Sequence, residues 1–134
     1  MILTIRKANL LIMGKTILVV DDDPMNVRMA EFALKKHSYD VVTANSGPEC
    51  LEKLKENNVD LVLLDIEMPQ MNGIETFERI RDDGSFADIP IVFLTASGDG
   101  DNVQKAKELG AADYLKKPFL PPDLLKCVGE VLDK

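Results

Sequence analysis

Several polar residues of this chain fall at the ends of short apolar runs, where side chains from distant parts of the sequence can meet. Asp21, Asp22 and Asp23 follow the run Ile17 to Val20, and Asp65 follows Leu61 to Leu64. Thr95 follows Ile91 to Leu94, and Lys117 follows Tyr114 to Lys116. If the runs are parallel strands, these carboxylates, the hydroxyl and the ammonium project from one rim. Together they make a site for a hard cation and a phosphoryl group. Two carboxylates ~4 Å apart at an effective dielectric near 20 repel by ~4 kcal/mol, so three would cost ~12 kcal/mol. That rivals the whole ~5 to 15 kcal/mol stability of a domain. Lys117, protonation of one acid or a divalent metal must offset it. Magnesium suits best, since it takes few carboxylates, keeps its waters and completes its octahedron with a phosphate oxygen. A carboxylate beside bound Mg²⁺ is also a nucleophile toward phosphorus, giving an acyl phosphate. The metal and Lys117 would neutralise the transferred group, and the Thr95 hydroxyl would hydrogen-bond one of its oxygens. Spacing leaves the division of labour open. Asp65 is the better nucleophile, because it stands alone on a central strand and leaves the Asp21 and Asp22 pair for the metal.

The elements that position these groups follow from hydrophobic periodicity. Ile17 to Val20 is too short for a helix and apolar on both faces, as a buried parallel strand should be. Val41 to Ala44, Leu61 to Leu64, Ile91 to Leu94 and a run ending in Tyr114 to Lys116 repeat the pattern. Between them lie amphipathic segments: Pro24 to His37 with Val27, Ala30 and Leu34 in register, and Pro48 to Asn57 with Cys50, Leu51 and Leu54. Ile74, Phe77 and Ile80 mark a third helix after the turn chemistry of Met68, Pro69, Asn72 and Gly73. A weaker helix follows at Asn102 to Leu109, and Asp123 to Leu132 closes the chain. Asp23 reads as the cap of the first helix and Pro24 as its first-turn residue. Strict alternation of five strands and five helices predicts a doubly wound α/β protein, a parallel sheet with helices on both faces. Ligands of such sheets lie beyond the carboxyl ends of the strands.

At 134 residues the chain has the length of one domain. It is 46% hydrophobic and 29% charged, as an ordinary globular protein is. Its 23 acidic against 16 basic residues leave a net charge of -7, which argues against nucleic acid or an anionic membrane as the main partner. No apolar stretch approaches the ~18 residues of a membrane span. Cys50 and Cys127 are too few for a disulfide scaffold and lack metal-ligand spacing, so a reducing, cytoplasmic setting is expected. Residues 1–14 read as an extension outside the pattern, with Met13 a possible alternative start, and residues 15–134 as the domain.

ILVVDDDP at 17 to 24, LVLLDIEMPQMNG at 61 to 73, IVFLTA at 91 to 96 and DYLKKPF at 113 to 119 together resemble the response-regulator receiver domain of two-component signalling. The order and spacing match from Lys15 to Val131, in the manner of stand-alone, chemotaxis-type receivers. The resemblance implies a flavodoxin-like sheet of order 2-1-3-4-5. It makes Asp65 the phosphoacceptor and gives Asp21, Asp22, Asp65 and the backbone carbonyl of Glu67 to Mg²⁺. Thr95 and Lys117 would hold the phosphoryl group, the Lys117–Pro118 bond would be cis, and Tyr114 would change rotamer on activation. Glu67 and Ser97 occupy the positions that help set the lifetime of the phosphorylated state. The expected donor is a histidine kinase or a histidine phosphotransfer protein, with a downstream protein engaged through helix 4, strand 5 and helix 5. With the chain ending just past the fifth helix, no attached output domain is expected.

Plainer readings stand beside these. Lys116 reads as solvated, His37 as exposed, and both cysteines and the methionines as packing. The Asn102 to Leu109 helix has little apolar face beyond Val103, Ala106 and Leu109, which makes it the candidate movable element. A rival from another class is a haloacid dehalogenase-type phosphohydrolase, with Asp21 as nucleophile and Asp23, Thr95 and Lys117 assisting; no later acidic strand end or cap domain supports it. A third is a binding module whose phosphorylation is dispensable.

Overall fold

The structure is a computed structural model that describes residues 14–96 and 100–133. The expectations for residues 1–13, including Met13, and for Ser97 lie outside those residues. Five strands, β1 (Thr16–Val20), β2 (Asp40–Ala44), β3 (Leu61–Asp65), β4 (Ile91–Ala96) and β5 (Asp113–Lys117), alternate with five helices. The helices are α1 (Pro24–Lys36), α2 (Gly47–Glu56), α3 (Gly73–Asp82), α4 (Gly100–Leu109) and α5 (Pro121–Leu132). All strand pairs are parallel, in the order β2-β1-β3-β4-β5.

Alternation of side chains along the strands divides the core in two. Ile17, Val19, Leu61, Leu63, Val92 and Leu94 pack with Ala30, Leu34, Leu124 and Val128, beneath α1 and α5. Leu18, Val20, Val62, Leu64 and Phe93 pack with Cys50, Leu54, Ile74, Phe77, Ile80 and Ala106, beneath α2, α3 and α4. Central β3 is buried along its whole length, which is why its sequence shows an unbroken apolar run rather than alternation.

The helix starts follow local chemistry. The Asp23 carboxylate accepts the Met25 N–H at 3.0 Å, with Pro24 at the first turn. Ser46 and Asn72 cap α2 and α3 in the same way. Helix α5 begins at Pro121 rather than Asp123: Pro121 and Pro122 sit in the first turn, where a missing N–H costs nothing. Met25 departs from the packing reading, being 71% exposed, while Met68 is in the core. Both cysteines are buried and His37 is exposed, as expected. Of α4, only Ala106 is buried.

Candidate functional site

The carboxyl ends of β1, β3 and β5 meet at one point. Register pairing sets Val20 of β1 beside Leu64 of β3, so Asp21 and Asp65 emerge together from neighbouring strands. Ligand oxygens of Asp21, Asp22 and Asp65 lie within 4.8 Å of one another. Asp21 and Asp65 are 1% and 2% exposed, whereas Asp22 faces solvent. Lys117, from the end of β5, reaches across to both buried acids: its Nζ is 2.8 Å from Asp21 Oδ2 and 3.1 Å from Asp65 Oδ1. The Lys117–Pro118 peptide is cis, as expected.

Each oxygen can be accounted for. Asp21 Oδ1 accepts the Asp23 N–H at 3.0 Å. Asp21 Oδ2 is buried, and the Lys117 ammonium at 2.8 Å is its one partner among the described residues. Asp65 Oδ1 accepts the Glu67 N–H at 3.2 Å in addition to its ion pair. Asp65 Oδ2 makes no hydrogen bond or ion pair among the described residues, so it is the oxygen left for an incoming electrophile or cation. The Glu67 side chain is exposed, and its backbone carbonyl likewise accepts no bond from the described residues.

Two buried acids share one cation, and the electrostatics show the imbalance. Burial, reinforced by the Asp21 charge and opposed by Lys117, pushes the Asp65 carboxyl up to about 7. Burial pulls Lys117 down, but the hydrogen bond to Asp21 and the charges of Asp65 and Asp21 outweigh it and raise the ammonium above its ordinary value. Lys117 is therefore a firm cation, and the cup lacks about one further positive charge.

Thr95 and Tyr114 are positioned nearby without joining this network. Thr95 is fully buried at the end of β4, one residue beyond Leu94, the neighbour of Asp65. Among the described residues its hydroxyl has only the Ala96 carbonyl, at 3.5 Å. Tyr114, paired in register with Phe93, is half-buried against α4, with the Lys107 ammonium 5.5 Å from its ring centroid. Lys116 is exposed, consistent with its plain reading.

Gly73 is a residue whose part sequence reasoning missed, having read it as turn chemistry. A Cβ there would strike the Asp65 carbonyl oxygen and come 2.7 Å from Ile66 Cα. The start of α3 thus presses directly on the backbone that carries Asp65, helped by the Gly73 N–H donating to the Ile66 carbonyl at 2.9 Å. Its only sequence signal was a glycine directly after a capping asparagine.

The response regulator receiver domain family matches residues 17–129. The alkaline phosphatase synthesis transcriptional regulatory protein PhoP of Bacillus subtilis is 38% identical over 120 residues, covering 90% of this chain and 49% of that protein. The phosphate regulon transcriptional regulatory protein PhoB of Pseudomonas aeruginosa is 39% identical over 119 residues, covering 89% and 52%. The chain spans about half the length of these relatives. Among solved structures, chemotaxis protein CheY4 of Vibrio cholerae aligns with a TM-score of 0.83 at 33% identity, covering 88% of this chain and 98% of that one.

Proposed function

Because the chain belongs to the response regulator receiver family, we propose that it takes a phosphoryl group onto Asp65 from a histidine kinase or histidine phosphotransfer protein. Residues 15–134 would form the receiver, and the phosphorylated state would act on a downstream protein. The observation that carries this reading is the Lys117 ammonium set between two buried carboxylates, 2.8 Å from Asp21 and 3.1 Å from Asp65.

Receiver domains bind Mg²⁺ at an acidic pocket, and the residues here suit it. The donors are hard oxygens, three of them on converging carboxylates, and the buried Oδ2 of Asp21 has only the Lys117 ammonium beside it among the described residues. Asp21, Asp22, Asp65 and the Glu67 carbonyl would hold the ion. When bound, it supplies charge neutralisation for the transferred group and lowers the proton affinity of Asp65. Asp65 Oδ2 would then attack phosphorus as the bond to the donor nitrogen breaks, the imidazole leaving with the electron pair. The Glu67 N–H and Lys117 hold Oδ1 and so orient the attack. The domain thereby assists its own phosphorylation, while the phosphate remains on the protein as a signal.

Incubation with acetyl phosphate, with and without Mg²⁺, followed by peptide mapping, tests this. Hydroxylamine-sensitive label on Asp65 that requires Mg²⁺ and vanishes in Asp65→Asn is the expected result. Label on Asp21, or turnover of generic phosphate esters, would instead indicate a hydrolase. A partner affinity indifferent to Asp65→Asn and to phosphodonor would indicate a binding module.

Thr95 is assigned to the response rather than to the transfer. Driving a two-state equilibrium from 1:99 to 99:1 takes ~5.5 kcal/mol. Hydrogen bonds to a charged phosphoryl group, at ~1.5 to 3 kcal/mol each, can supply most of it through Thr95 and Lys117. The yielding element is α4, with one buried side chain. Thr95→Ala should therefore still accept phosphate but lose most of the phosphorylation-dependent change in amide exchange of α4. An undiminished change would remove Thr95 from the mechanism.

A further inference from the structure

The acidic cup opens into a cavity of about 420 Å³ that the phosphoryl chemistry above leaves unused. Asp21 and Asp22 form the shared border, while Arg28 of α1, Asn45 beyond β2, and Glu49 and Lys53 of α2 contribute its polar walls. The Arg28 guanidinium is exposed and makes no ion pair or hydrogen bond with any described residue. Among the described residues the Lys53 ammonium pairs only with Glu56, at 3.9 Å. Glu49 is already engaged: its Oε1 accepts the Asn45 N–H at 2.6 Å, and it sits in the first turn of α2, where negative charge is favoured. Two largely uncommitted cations, one from each helix, therefore flank a chamber that shares Asp21 and Asp22 with the acidic cup.

A phosphodonor has two ends, and only one enters the cup. With an acyl phosphate, the Asp65 oxygen bonds to phosphorus, the bond from phosphorus to the acyl oxygen breaks, and its electron pair departs on a carboxylate. Negative charge grows on the leaving oxygen. With phosphoramidate, the breaking bond is P–N and uncharged ammonia departs. Cations on the leaving side lower the barrier for the first donor and not for the second.

We propose that this cavity is the leaving-group subsite for small acyl phosphate donors, with Arg28 and Lys53 binding the departing carboxylate. The inference rests on Asp65 being the phosphoacceptor.

The test compares Asp65 labelling rates by acetyl phosphate and by phosphoramidate, at saturating Mg²⁺, in the full chain. Arg28→Gln and Lys53→Gln should each lower the acetyl phosphate to phosphoramidate rate ratio by about fivefold, the equivalent of ~1 kcal/mol for an exposed ionic contact. The double variant should lower it further, and Arg28→Lys, which keeps the charge, should retain most of it. Lys36→Gln, on an exposed part of α1 beside Phe32, should leave the ratio unchanged and so control for overall charge. An unaltered ratio in the double variant, or an equal fall in Lys36→Gln, overturns the subsite. Failure of both donors to label the parent chain overturns the phosphoacceptor reading instead.

Discussion

Replacing Lys117 with methionine should destabilise the metal-free protein by about 3 kcal/mol at pH 8, because removing one partner of a buried ion pair leaves the other charges uncompensated. Two carboxylates, 1% and 2% exposed, depend on this one ammonium. Methionine keeps most of the volume, so the loss is electrostatic rather than a cavity effect. The pH dependence identifies the cause. Burial and Asp21 raise the Asp65 carboxyl from 3.8 to about 7 in the folded chain. A carboxyl raised on folding contributes stability that is complete below its unfolded pKa and is lost as pH rises through its folded one. Without Lys117 the folded value climbs further, so the variant should recover much of its deficit between pH 8 and pH 5.5. Mg²⁺ should recover part of it at pH 8. Urea unfolding at the two pH values, with the slope against denaturant checked for constancy, measures this. A deficit of equal size at both pH values would mean that Lys117 matters through packing.

Gly73→Ala should cost about 3 kcal/mol and sharply reduce phosphoryl uptake, although helix propensity alone would favour alanine by up to ~1 kcal/mol. The added methyl meets backbone, not a side chain that can swing aside: the Asp65 carbonyl oxygen, and Ile66 Cα at 2.7 Å. Either α3 retreats or the Asp65 backbone shifts, and a displacement of a fraction of an ångström at a nucleophile is expensive. Gly129→Ala is the matched control. Gly129 lies within α5 and a Cβ there would meet nothing within 4 Å, so that change should stabilise by ~0.5 to 1 kcal/mol. Equal effects of the two substitutions would show that the contact at Gly73 is easily relieved.

The strands were legible because complete burial leaves a plain signature. Leu61 to Leu64 and Ile91 to Leu94 are unbroken apolar runs, and each belongs to a strand buried on both faces. Edge strand β5 was harder, since Lys116 is exposed and its neighbours are only half-buried, and its start at Asp113 has no hydrophobic mark. The double proline at 121 and 122 resembles a breaker unless the first turn is already known to begin there. At the site, strand-end positions disclosed which side chains share a rim. They did not disclose that Lys117 spans both buried acids, nor that Arg28 and Lys53 border the same opening, because those relations depend on how helices pack rather than on spacing along the chain. The closeness of Gly73 to Asp65 is of the same kind.

The burial of β3 restricts how a signal can leave the site. Leu61, Val62, Leu63 and Leu64 are each 0% exposed, flanked by β1 on one side and β4 on the other. Their strand is an anvil: it cannot recoil without opening both halves of the interior at once. A group accepted by residue 65 would therefore stay put, and information would leave as lighter parts travel inward to meet it.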